Sequence, residues 1–273
     1  MFRQKIQNSP YLFDETNRIV GLKQADSSEV LFHGLVTKTP VNAVAGKTIL
    51  AAADIAVLTA GDTVVLEGNT FTMVASSADE GEFVDGDGLK DLIEGLADWV
   101  GTIATGAVTA TYAIKGLIGN GRVVVANHAG AVTANGGEAA KSTGTIAAAC
   151  LARLAVGDQV TFAGDVYTKA AATSVENKTF ANTAGLIQCL GALDDWTAAA
   201  DGSDVVITAA ENGAENDDVV AMLVYKRTTA GGVNGTLGIR NEICSDATYL
   251  YPAIGGNTIH DANWRRVALG NVY

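Results

Sequence analysis

Leu58-Thr-Ala-Gly61-Asp62-Thr-Val64-Val-Leu-Glu-Gly68-Asn-Thr-Phe71-Thr72-Met-Val-Ala75 is written a second time, without a gap, as Leu154-Ala-Val-Gly157-Asp158-Gln-Val160-Thr-Phe-Ala-Gly164-Asp-Val-Tyr167-Thr168-Lys-Ala-Ala171. Seven of the 18 positions are identical, and Phe71 stands opposite Tyr167. After one inserted residue, Gly88-Leu89, Leu96, Asp98 and Trp99 match Gly185-Leu186, Leu193, Asp195 and Trp196. The register then holds through Val108 with Val205, Thr111 with Thr208 and Gly116 with Gly213. An offset of 96 to 97 residues kept over this length implies two copies of one unit, roughly 47–126 and 143–225.

Both copies read alike. Gly-Asp opens an alternating run, and a two-residue turn, Gly68-Asn69 or Gly164-Asp165, returns the chain into a second strand. Leu89, Leu92, Ile93, Leu96 and Trp99 then fall on one helical face, as do Leu186, Cys189, Leu190, Leu193 and Trp196 in the second copy. Two further strands close each unit, at 108–113 and 122–126 or at 205–210 and 219–225. The expected fold class is therefore α+β: two tandem ββαββ units, each a two-layer arrangement of one helix on a four-stranded antiparallel sheet. The expected organisation is an extended arm with a β-hairpin (1–46), the first repeat (47–126), a linker (127–142), the second repeat (143–227) and a small β module (228–273).

Charge follows this division. The chain of 273 residues has 30 acidic and 18 basic side chains, a net charge of −12. Residues 1–47 and 226–273 each sum to +2, while residues 48–225 sum to −16. An acidic body argues against direct phosphate binding, so no nucleic-acid partner is expected. No uncharged apolar run is long enough for a membrane span or a secretory leader. Cys150, Cys189 and Cys244 are odd in number and scattered, which reads as small buried side chains in a reducing compartment rather than disulfides or metal ligands.

No motif carries chemistry. Gly46-Lys47-Thr48 ends like a P-loop, but its first glycine would fall on Val41. Asp85-Gly-Asp87-Gly88 with Glu94 resembles part of a calcium loop, yet Phe83 occupies the first ligand position, and the second copy has Asn182-Thr-Ala-Gly185 there. A helix N-cap is the better reading. His33, His128 and His260 lie in separate segments without an evident partner. No catalytic residue, cofactor or metal is expected.

Gly61-Asp62-x-Val64 … Gly68-x-x-Phe71-Thr72, followed by a helix and a Val-x-x-Thr strand, resembles a small α+β module of tailed-bacteriophage structural proteins. Asn17-Arg-Ile-Val-Gly-Leu22 … Asp26-Ser-Ser-Glu-Val-Leu31 is similar to the N-terminal segments of phage head and fibre proteins. Tyr249-Leu-Tyr251 … Trp264-Arg265-Arg266-Val-Ala268 is similar to their YLY…WRRVAL-type ending. The resemblance implies a non-enzymatic virion protein, a capsid decoration (cement) or head-fibre protein. It would bind the major capsid protein, self-associate as a homotrimer and be made in the bacterial host cytoplasm. A tail structural or adaptor protein and a host-surface binding module are the alternatives. If the mildly basic termini dock, Arg18, Leu22, Lys23, Tyr249, Tyr251, Trp264 and Arg265 are the candidate interface residues, with the acidic repeats facing water.

Overall fold

The structure, a computed structural model, describes residues 11–13, 19–23, 29–32, 41–76, 78–236, 242–245, 249–253, 264–265 and 267–268. Strands β1 (Tyr11–Phe13), β2 (Ile19–Lys23) and β3 (Glu29–Phe32) precede the copies. The first copy runs β4 (Ala45–Leu50), α1 (Ala52–Ala56), β5 (Thr63–Leu66), β6 (Asn69–Met73), β7 (Glu82–Phe83), α2 (Gly86–Glu94), β8 (Trp99–Ala104), β9 (Ala107–Lys115) and β10 (Val123–Val132). The second repeats that order as β11 (Thr143–Ile146), α3 (Ala148–Leu151), β12 (Gln159–Phe162), β13 (Asp165–Lys169), β14 (Thr179–Phe180), α4 (Thr183–Leu190), β15 (Trp196–Asp201), β16 (Asp204–Ala209) and β17 (Val220–Thr228). Strands β18 (Glu242–Ser245), β19 (Tyr249–Pro252) and β20 (Val267–Ala268) follow.

The duplication is therefore real as structure, but the expected α+β fold of two ββαββ units is not what it builds. The chain is mostly β, with large mixed sheets and short helices. Each copy divides its strands between two sheets. Strands β4, β9 and β8 form a three-stranded sheet, as do β11, β16 and β15. The remaining strands of both copies merge into one eight-stranded sheet, ordered β14-β13-β12-β17-β10-β5-β6-β7. No linker begins at residue 127, because Asn127–Val132 continue β10 and pair with β17.

Two local readings failed for identifiable reasons. The helices end at Gly95 and Gly191, so Trp99 and Trp196 do not extend the helical stripe but open β8 and β15, where both are buried. The hairpin turn is Glu67-Gly68 rather than Gly68-Asn69: φ is +50° and +83°, the left-handed pair that a two-residue turn requires to match strand twist. Ala163-Gly164 repeats it at +50° and +84°. The capping assignment agrees with the structure: Asp85 Oδ1 accepts from the Gly88 N–H at 3.0 Å, and Asn182 Oδ1 from the Gly185 N–H at 2.9 Å. Gly46, Lys47 and Thr48 lie in a strand, not a phosphate loop.

The eight-stranded sheet has a pseudo-twofold at its centre. β10 and β17 pair antiparallel with Ala126 opposite Tyr225, Asn127 opposite Val224 and His128 opposite Leu223. Moving 97 positions along the chain exchanges the first and third pairs and leaves the second in place, so the axis passes between Asn127 and Val224. Val64, Leu66, Val124 and Ala126 from one copy, and Val160, Phe162, Leu223 and Tyr225 from the other, are the inward positions of this sheet and are buried. Phe162 meets Trp196 edge to face, with ring centroids 4.8 Å apart.

Two compact units result. One comprises residues 48–111 and 121–229, that is, nearly all of both copies. The other draws on residues 1–47, 112–120 and 230–273. Its six-stranded sheet is ordered β1-β2-β3-β18-β19-β20, and β3 pairs parallel with β18. The expected arm and the expected C-terminal module are thus halves of one sheet.

The two copies are not equally packed. A Cβ on Gly101 in β8 would lie 2.5 Å from the Lys90 carbonyl oxygen of α2, whereas the equivalent position in the second copy is already Ala198. Gly101→Ala must push α2 off its sheet and should cost about 1–3 kcal/mol. Ala198→Gly should cost under about 1 kcal/mol. Urea unfolding of both variants measures the difference.

Candidate functional site

The Gly-Asp that opens each hairpin reaches the strand at the centre of the sheet. Gly61 and Gly157 take φ of +96° and +95°, which turns the chain sharply and aims the following aspartate inward. Asp62 accepts from the Thr59 N–H at 2.6 Å and from the Ala129 N–H of β10 at 2.9 Å. Asp158 accepts from the Ala155 N–H at 2.7 Å and from the Lys226 N–H of β17 at 2.7 Å. Each carboxylate therefore fastens a turn to a central strand, in equivalent places.

The remaining oxygen capacity is used differently in the two copies. Asp62 Oδ2 lies 2.5 Å from His128 Nδ1, and His128 Nε2 lies 3.2 Å from Cys150 Sγ in the second copy's α3. Asp158 Oδ2 receives Arg227 Nη1 at 3.0 Å, and Arg227 Nη2 reaches Asp54 in the first copy's α1 at 3.2 Å. Arg153 Nη2 adds a contact to Asp54 at 2.7 Å. Cys150 and Asp54 are themselves equivalent positions, 96 residues apart. The pseudo-twofold thus relates an aspartate–histidine–cysteine cluster to an aspartate–arginine–aspartate cluster, and both cross between copies. In each, cations balance carboxylates, which is the condition for burying charge without a large penalty.

Asp62, His128 and Cys150 stand in the order of orienter, base and nucleophile. All three side chains are buried. Burial pushes the imidazole down, but its hydrogen bonds to Asp62 and Cys150 and the nearby negative charge outweigh this and raise His128 to about 9. The His128 and Asp62 side chains are only 5% and 3% exposed. Asp62 and Asp54 follow one rule: burial raises each carboxyl, and hydrogen bonds to His128 and backbone N–H groups, or to Arg227 and Arg153, hold it below the usual range. A cleft of about 210 Å³ lies elsewhere, lined by Asp165, Tyr167, Lys178 and Cys189 among others. Among the described residues no three His, Cys, Asp or Glu are grouped to hold a metal. The three cysteines are buried and none is in a disulfide.

The candidate interface residues fall within the unit built from both termini. Arg18 lies outside the described residues. Leu22 and Lys23 are in β2, paired with Val30 and Glu29. Tyr249 and Tyr251 are half-buried on one face of β19, with ring centroids 6.1 Å apart. Trp264 is buried with Cys244 and Ala253, and its indole N–H donates to the Thr236 carbonyl at 2.8 Å, so it serves the unit's own core. Arg265 is exposed. One sheet brings β2 and β19 together, although β3 and β18 lie between them.

Sequence reading missed the clusters because their members lie up to 173 residues apart. The available signal was the repeated Gly-Asp, together with His128 at an inward position of an otherwise apolar alternating strand.

His128 has a raised folded-state pKa, so its pair with Asp62 stabilises the fold fully below about pH 6.5 and is lost as pH rises through about 9. Urea midpoints measured from pH 6 to pH 10 should fall across that window, on the scale set by the ordinary histidine pKa and the raised value. In His128→Gln the fall should flatten. Arg227→Met leaves Asp54 and Asp158 under-compensated and should cost about 3–5 kcal/mol in the same assay. An effect under about 1 kcal/mol would mean that Arg153 alone suffices.

No protein-family model, curated protein or solved structure matches this chain.

Proposed function

We propose that the protein is a non-enzymatic structural component of a tailed-phage virion, a capsid decoration or head-fibre protein. It binds the major capsid protein shell, self-associates as a homotrimer and presents its acidic body on the virion surface. The division of charge between the two units carries this reading. The unit containing both termini has ten basic and seven acidic side chains. The duplicated unit has eight basic and 23 acidic, a net charge of −15. A body of that charge favours solubility and exposure to solvent, which suits an outer particle component. Attachment falls to the mildly basic unit, through residues such as Lys23, Tyr249 and Arg265. Because β3 pairs with β18, strands from both ends of the chain share the sheet of the unit to which this reading assigns attachment.

A host-glycan binding module is less well supported. Tyr112, Tyr167 and Tyr225, its candidate stacking residues, are all buried. A tail adaptor remains the second reading, since it demands the same rigid, acidic body, and stoichiometry separates the two. Quantitative mass spectrometry of purified virions should return hundreds of copies per particle for a decoration protein and six or twelve for a tail adaptor. Absence from the particle would overturn both.

A further inference from the structure

The seam between β10 and β17 joins equivalent faces of two homologous copies about a local twofold, the geometry of an isologous dimer interface. Its polar contacts also run from copy to copy, ion pairs from Asp54 to Arg153 and Arg227 on one side and the His128–Cys150 contact on the other. None of these contacts requires the two copies to belong to one chain. The link between them is residues 133–142. Its ends meet where the Ala134 N–H donates to the Thr143 carbonyl, and Asp217 holds it through the Gly136 N–H and the Ser142 hydroxyl, each at 2.6 Å. Further pairings between the N-terminal and C-terminal halves, among them β3 with β18, Val44 with Val233 and Lys47 with Ala230, join segments that would travel with their own copies.

We propose that this seam is an exchangeable self-association surface whose partner is a second copy of this chain. The first copy of one chain docks on the second copy of another, with residues 133–142 opening as the hinge. Exchange between two chains closes a dimer, and head-to-tail exchange among three closes a ring. Apart from the extended hinge, each interface is the one already present within the chain, so the contacts do not oppose exchange and protein concentration decides it. The proposal does not depend on the virion reading.

Opposite-charge variants test it. Asp54→Lys in one chain and Arg153→Glu in another each set like charges against each other across their own seam. In an exchanged pair, the two substituted positions face each other in one seam and the native Asp54 and Arg153 face each other in the other. Refolded separately, each variant should melt below wild type. Refolded together at high concentration, they should give a species containing both chains by native mass spectrometry, melting above either variant alone, though below wild type because the lysine introduced at position 54 still faces Arg227. A mixture that melts as the sum of its parts, without mixed species, overturns the proposal. If either variant does not fold alone, recovery on mixing remains the readout. Isotopically light and heavy wild-type chains, refolded together at high concentration, supply a second measurement. Mixed-mass oligomers that persist on dilution are expected, and monomers alone would overturn the exchange.

Discussion

Two buried carboxylates, Asp62 and Asp158, determine how the two copies meet. Each follows a left-handed glycine, accepts an N–H from its own turn and accepts another from the central strand beside it. A buried carboxylate cannot remain unpaired, so each also needs a cation, and in both cases the cluster that forms reaches into the other copy. The apolar seam and the ionic clusters therefore act together. Burying Val124, Leu223 and Tyr225 brings the strands into contact, and the carboxylates favour the register in which both of them reach a central-strand N–H.

Duplication freed the two clusters to diverge. A homodimer must use the same residue on both sides of its axis, whereas a fused pair can place His128 where the other copy has Tyr225 and Cys150 where it has Asp54. One cluster is consequently bridged by a titratable imidazole and the other by a guanidinium that stays charged throughout the accessible pH range. Similar divergence appears in packing, where Gly101 allows α2 an approach that Ala198 does not allow α4. The two halves share a backbone plan but differ in what holds them shut.

The second unit has a different logic. Segments from the start, middle and end of the chain meet in it, with Lys47 and Ala230 bonded reciprocally at 2.9 Å and Asn120 holding Gly232 through both its amide nitrogen and its oxygen. Its construction requires both ends of the chain, so it closes only after the whole length is available.

The sequence alone determined the duplication, the strand-turn-strand hairpins, the N-caps at Asp85 and Asn182 and the placement of acidity, because each is encoded by residues within a few positions of one another or by self-comparison. It misplaced the helix ends, since an apolar residue at Trp99 satisfies both a helical and a strand period and only the Gly95 cap decides between them. Neither the shared eight-stranded sheet nor the pairing of β3 with β18 was legible, because strand partnership at long separation depends on which edges the rest of the fold leaves open. The same holds for His128: the sequence shows a lone histidine on an apolar strand, and only the tertiary structure sets it between Asp62 and Cys150, because those partners come from segments that meet only after two copies have closed around a common axis.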